Sequence, residues 1–171
     1  PLSVHTEDVG NLNSLVADSK GNLWACGFDA GILEMDENLN WHRYTTENST
    51  IPSNIARKMV IGKDNTKWVL FDDGNLSLLR LSDNNIWDQF KCENDGPFCQ
   101  SSNLCGVDKN GDLLQFFYRN EQAEISFFDG ENYEVLGVLN DDGGQINGSV
   151  QKVIQNEGIL YCLVWDSDKE E

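Results

Sequence analysis

One segment constrains this chain more than any other because it recurs. Asp18-Ser19-Lys20-Gly21-Asn22-Leu23-Trp24 returns in weaker form three times, and setting Trp24 against Trp68, Leu114 and Tyr161 aligns four copies with a period in the mid-forties. Each copy is an apolar run, a turn of Gly, Asn or Asp that tolerates positive φ, and a second apolar run, which is the signature of a β-hairpin. Two more strand-like runs follow each complete hairpin, at 32–35 and 41–44, at 76–81 and 86–90, and at 125–128 and 133–136. Four short strands per repeat of this length make one propeller blade. The expected fold is therefore all-β, built from β-propeller blades of four antiparallel strands. About three and a half blades are expected in a single propeller-like domain over 1–171, at 11–45, 55–90, 104–139 and, incomplete, 149–165. No apolar spacing of three and four persists over ten residues, so no helix is expected. Propellers close with four or more blades. The expectation is a segment of a longer protein, since the chain opens on Pro1 and stops within a repeat, with a pair of chains or a closing strand from residues 1–6 as alternatives.

The Asp-x-x-Gly-Asn-Leu-Trp segment at 18–24 resembles the repeat of the two-component regulator propellers, found in extracytoplasmic sensor regions of Bacteroidetes hybrid kinases. Tyr44-Thr45-Thr46, followed by Ile51-Pro52-Ser53-Asn54-Ile55, is similar to that family's link between blades. The resemblance covers residues 11 to about 82 well and the rest loosely. Gly62 and Asn65 stand where the second copy should have Asp and Gly, and the third and fourth copies lack the Trp. The resemblance implies a periplasmic or extracellular, non-catalytic sensor or ligand-recognition module of a signalling receptor. It further implies a small-molecule or oligosaccharide ligand, with remaining blades of the same protein or a second copy as partner. A free-standing protein-interaction scaffold and a metal-dependent propeller hydrolase or lactonase are the competing readings, the latter by analogy of fold alone.

Twenty-nine acidic residues against twelve basic ones give a formal charge of −17. Nucleic acids and anionic membranes need basic surface, so neither is an expected partner. At 39% hydrophobic residues the chain still has the means to form a core. No run of eighteen apolar residues is present, so this segment is not expected to insert in a membrane.

The five cysteines, an odd number, include Cys92 and Cys99, which bracket a turn-rich loop and are a candidate disulfide in an oxidising compartment. Cys26 and Cys162 sit in apolar runs and read as buried thiols. His5 and His42 have no paired spacing for zinc. Asp-rich turns at 72–75, 108–112 and 129–132 have calcium-type oxygen chemistry, but hairpin turns use the same residues, and Leu113 stands where an EF-hand would need Gly. No catalytic residue, metal site or cofactor is assigned. The aligned Trp24, Trp68, Leu114 and Tyr161 are expected to pack between blades rather than form a ligand platform. A ligand is expected on the face made by the links and the turns between second and third strands, at 46–57, 71–75, 91–103 and 119–122. There Arg57, Phe71, Asp72 and Arg119 suit a polar ligand with a stacking face.

Overall fold

In the computed structural model the residues described are 11–62, 64–72, 77–82, 86–91, 103–108, 110–119, 122–138, 149–156 and 159–165. Fourteen β-strands run through them: β1 Asn11–Ala17, β2 Leu23–Phe28, β3 Gly31–Met35, β4 Trp41–Tyr44, β5 Ala56–Ile61, β6 Lys67–Phe71, β7 Ser77–Leu81, β8 Trp87–Lys91, β9 Asn103–Val107, β10 Leu113–Arg119, β11 Gln122–Phe128, β12 Tyr133–Val138, β13 Ser149–Asn156 and β14 Ile159–Trp165. Three sheets have four antiparallel strands in sequence order, β1 to β4, β5 to β8 and β9 to β12, and β13 pairs with β14 in a fourth. The described chain contains no helix. The fold is all-β and made of propeller blades. It divides into two compact units, Pro1–Lys91 and Cys92–Glu171. In the first unit β1 lies beside β5, and in the second β9 lies beside β13, so within each unit the blades fan out from their first strands.

The recurring turn has one backbone design. In the first three copies, and again in the turn between β3 and β4, the first residue donates its N–H to the carbonyl of the fifth and accepts the N–H of the fourth: Asp18 with Asn22 and Gly21, Gly62 with Thr66 and Asn65, Asp108 with Asp112 and Gly111, and Asp36 with Asn40 and Leu39. That closure forces the fourth residue into the left-handed region. Gly21, Leu39, Asn65 and Gly111 have φ of 89°, 66°, 62° and 93°. An Asp at the first position adds a second layer. Asp18 Oδ1 accepts the N–H groups of Lys20 (3.0 Å) and Asn22 (2.9 Å), and Asp36 and Asp108 do the same in their loops. Asp therefore recurs here because its side chain satisfies loop donors that the hairpin leaves unpaired.

Between β2 and β3, which pair as far as Gly27 opposite Gly31, the chain turns on Asp29 and Ala30 alone. Both glycines are strand residues. A Cβ on Gly27 would stand 1.9 Å from the Asn11 carbonyl oxygen, and one on Gly31, at φ +68°, would stand 2.2 Å from that of Tyr44. Crowding of the neighbouring strands, added to backbone conformation, explains these positions.

The core of the first unit lies between its two sheets. Trp24, Cys26 and Ile32 of the first sheet pack on Ala56, Met59, Val69, Phe71, Leu79 and Leu81 of the second, with Ile51 from the link and Val16, Tyr44, Ile61 and Trp87 at the margin. Trp24 and Tyr44 stack with ring planes 9° apart, and Tyr44 tilts against Trp87. Trp24, Trp68 and Leu114 are all buried, as a packing role requires, and the Tyr161 side chain lies outside the described residues. β6 is buried along its whole length, which is why 68–71 reads as a continuous apolar run rather than an alternation. In the second unit Leu104, Leu113, Leu114, Phe116, Ile125 and Phe128 are buried. The directly paired Gln115 and Ser126 are buried among them, at the places of Ala25 with Leu33 and Val69 with Leu79.

Candidate functional site

Every first strand carries one irregularity. The register of β1 against β2 skips Asn13, that of β5 against β6 skips Arg57, that of β9 against β10 skips Cys105, and that of β13 against β14 skips Gln151. A β-bulge bends its strand and re-aims the extra side chain, and such bulges recur beside binding sites. Among these four residues only Arg57 is charged.

Arg57 is placed by two elements. The bulge sets its direction, and the link before β5 fixes its base. The link is ordered by its own polar side chains. Asn48 Oδ1 accepts Thr45 N–H (2.8 Å) while Asn48 Nδ2 donates to the Arg43 carbonyl (2.8 Å), and Asn54 Oδ1 accepts Thr46 N–H (2.9 Å). The Asn54 carbonyl accepts Gly31 N–H across to the first sheet, and the Ile55 carbonyl accepts Asp72 N–H. Ser53 Oγ accepts Ile55 N–H and donates to the Asp72 carbonyl, both at 3.0 Å. Asp72 is thereby tied to the link by both its main-chain groups, and its carboxylate receives Arg57. Arg57 Nε donates to Asp72 Oδ2 at 3.0 Å, and Nη2 donates to the same oxygen. With the Arg57 side chain 47% exposed, the pair is a solvent-facing ion pair on a rigid base. Its value for stability is small, whereas its geometry suits a ligand that accepts from guanidinium and donates to carboxylate.

The other expected ligand residues fall elsewhere. Phe71 is a core residue packed between the two sheets, so the stacking face expected of it is turned inward. Arg119 ends β10 opposite Gln122, and its side chain lies outside the described residues. Residues 73–76 and 92–102, with the candidate Cys92–Cys99 bridge, also lie outside them. Cys26 is a buried free thiol whose pKa burial pushes up to about 12, so it is unreactive at neutral pH.

A second polar cluster, absent from the sequence reading, joins the two sheets of the first unit. The buried Asp18 carboxylate accepts Trp24 Nε1–H and Asn22 Nδ2–H, both at 3.0 Å, and Lys67 Nζ stands 4.0 Å away and 4.5 Å from the centre of the Trp24 ring. Side chains of Lys67 and Asp18 are 5% and 1% exposed. Burial raises the Asp18 pKa, and hydrogen bonds from Trp24, Asn22 and Lys20 more than reverse this, holding the carboxyl below its ordinary value. Nearby, Asn65 Oδ1 accepts Ser19 N–H (2.8 Å), and Ser14 Oγ donates to the Met59 carbonyl (3.1 Å). With every carboxylate oxygen engaged inside the interface, this cluster fastens the two sheets and leaves no open coordination. Asn65 replaces Gly in its turn, and Lys67 opens an otherwise apolar strand. Those two departures were the available signals, but their partners lie more than forty residues away. Among the described residues no group of three or more His, Cys, Asp or Glu side chains converges as a metal site.

No family model matches the chain, and no curated protein matches its sequence. Solved structures do match. A protein described as a gluconolactonase is similar at 13% identity and TM-score 0.62, with 94% of this chain and 59% of that chain covered. A catalytically inactive virginiamycin B lyase variant from Staphylococcus aureus, crystallised with quinupristin, is similar at 13% identity and TM-score 0.61, covering 97% and 59%. The extracellular domain of a hybrid two-component system from B. thetaiotaomicron is similar at 14% identity and TM-score 0.50, covering 91% and 26%. The chain thus spans about three-fifths of the length of the first two structures and about a quarter of the third. At these identities the likeness shows the fold. It also corrects one expectation, that of a module without enzymatic activity. Two of the structures just named are of enzymes, and since chemistry is grafted onto a fold by a few side chains, this architecture gives no ground for excluding it. What the comparisons and the strand topology together show is that this chain is built of β-propeller blades.

Proposed function

We propose that the chain is part of an extracytoplasmic ligand-recognition propeller of the two-component regulator type, and that its ligand is a small polyhydroxylated molecule such as an oligosaccharide. One observation carries this reading: the bulge at Arg57 aims a half-exposed guanidinium at Asp72 above a link whose backbone is locked by its own hydrogen bonds. Sugar hydroxyls donate and accept on adjacent oxygens, so one ligand can bridge both members of such a pair, and a pre-ordered base lowers the entropy cost of capture. The likeness to a hybrid two-component extracellular domain supports the location and the sensing role.

Calorimetric titration with a panel of oligosaccharides, on the wild type and on Arg57→Ala, tests this reading. Saturable heat that disappears in Arg57→Ala, with an unchanged melting temperature of the unliganded protein, is the expected result. Equal heats in both proteins, or none in either, would sink the assignment of Arg57. The same preparations are assayed for lactone hydrolysis. Turnover lost in Arg57→Ala would move the site into the class of the protein described as a gluconolactonase.

A further inference from the structure

Gln115 of β10 and Ser126 of β11 stand directly opposite each other, both 0% exposed. In the first two sheets the same positions hold Ala25 with Leu33 and Val69 with Leu79, which ask nothing polar of their surroundings. Neither the amide oxygen and nitrogen of Gln115 nor the hydroxyl of Ser126 has a hydrogen-bond partner among the described residues. Burying such groups unpaired is costly, and native folds place a partner beside them.

The backbone changes at the same spot. In three of the four hairpins the register with the first strand breaks two to three residues past the aligned position, at Cys26 and Gly27 after Trp24, at Leu70 and Phe71 after Trp68, and at Leu163 and Val164 after Tyr161. In the third hairpin the break moves back to Leu114 and Gln115. A second break lies between Ile125 and Ser126, where β12 skips Leu136, whereas the third and fourth strands of the first two sheets pair without one. A bulge leaves main-chain groups outside the ladder. The polar pair is thus flanked by a bulge on the β9 side and another on the β12 side.

We propose that the third blade binds an internal water between Gln115 and Ser126, a hydration site for which the apolar pairs of the first two blades have no use. The chemistry of the pair selects this occupant. Gln115 offers donors and an acceptor, and Ser126 offers one of each, so the occupant has to donate and accept at once. It is also neutral, because neither side chain carries a charge that would balance a buried ion. An internal water makes about three hydrogen bonds to groups of this kind, and the two side chains with one main-chain group freed at a bulge supply that number.

A crystal structure of the chain with its internal solvent ordered tests this. A water within about 3.2 Å of both the Gln115 amide and Ser126 Oγ is the expected result. A direct bond between the two side chains, another protein group in that place, or no density there overturns the proposal. Oxygen-17 magnetic relaxation dispersion reads the same water in solution. Gln115→Val combined with Ser126→Leu installs the polar-free pair of the second blade and should lower the dispersion amplitude by the share of a long-lived water. An unchanged amplitude in the folded variant overturns the proposal equally, and if that variant does not fold, the wild-type density decides alone.

Discussion

Leu39 occupies a backbone position that the other copies of the turn give to Gly21, Asn65 and Gly111. At φ 66° its Cβ crowds the following carbonyl, a conformation that costs an ordinary L-residue roughly 1–2 kcal/mol. Its side chain is exposed and gains little from burial. Leu39→Asn should raise the unfolding free energy by about 1 kcal/mol in urea denaturation, since Asn tolerates this region without the extra chain entropy of Gly. A loss of stability would show that the side chain packs in solution. The third turn holds the opposite opportunity. Asp112 stands where its counterparts are Asn22 and Asn40, and its pKa is raised by burial and by the charges of Asp108 and Asp129. A folded-state pKa above the ordinary 3.8 means that ionised Asp112 costs stability at neutral pH, and that the cost vanishes once the group is protonated in both states. Asp112→Asn removes the carboxylate and adds an amide donor near Asp108. The variant should be more stable at pH 7 by about 0.5–1 kcal/mol, the scale of a half-exposed charge interaction, and that gain should shrink toward pH 3. A gain that persists in acid would argue against the charge explanation.

At the scale of the element, the first hairpin is held by Trp24, which packs in the core through its ring and donates to Asp18 through its nitrogen. Trp24→Ala should cost roughly 3–5 kcal/mol, the usual range for removing a large core side chain. Trp24→Phe keeps most of the packing and loses the donor, so it should cost about 1.5–3 kcal/mol, as for a hydrogen bond to a charged group. The sign with pH is opposite to that at Asp112. The Asp18 pKa is lowered in the fold, so its contribution is full above its ordinary 3.8 and is lost as pH falls through the folded value. The Phe variant should therefore approach the wild type in acid, and a deficit independent of pH would separate Trp24 from the carboxylate. The hairpins, their order and the packing role of Trp24 were legible in the sequence because a five-residue turn and two apolar runs are local signals. Phe71 read as a surface residue because it ends its strand, although the unbroken apolar run 68–71 is the mark of a strand covered on both faces. Lys67 beside Asp18 and Ser53 beneath Asp72 were not legible, since each depends on a register that joins distant turns. The bulge that re-aims Arg57 left no local mark either, because a bulge is a property of two strands and not of one.

For the whole molecule the governing quantity is a formal charge of −17. Like charges spread over one surface oppose compaction, and added salt screens them as the Debye length shortens from about 30 Å at 0.01 M to about 10 Å at 0.1 M. The melting temperature should accordingly rise with sodium chloride over that range. Calcium at matched ionic strength distinguishes screening from specific binding. A flexible acidic loop could supply calcium ligands only if its carboxylates were available, and here Asp18, Asp36, Asp108 and Asp129 already accept N–H groups of their own loops at 2.7–3.0 Å. Binding a cation would require breaking those bonds and opening the turns that set the register of each hairpin. Calcium should therefore raise the melting temperature no further than the ionic strength it contributes. A larger shift, reversed by chelator, would mean that at least one of these turns reorganises around the ion and that the hairpin connections are softer than their hydrogen bonding implies.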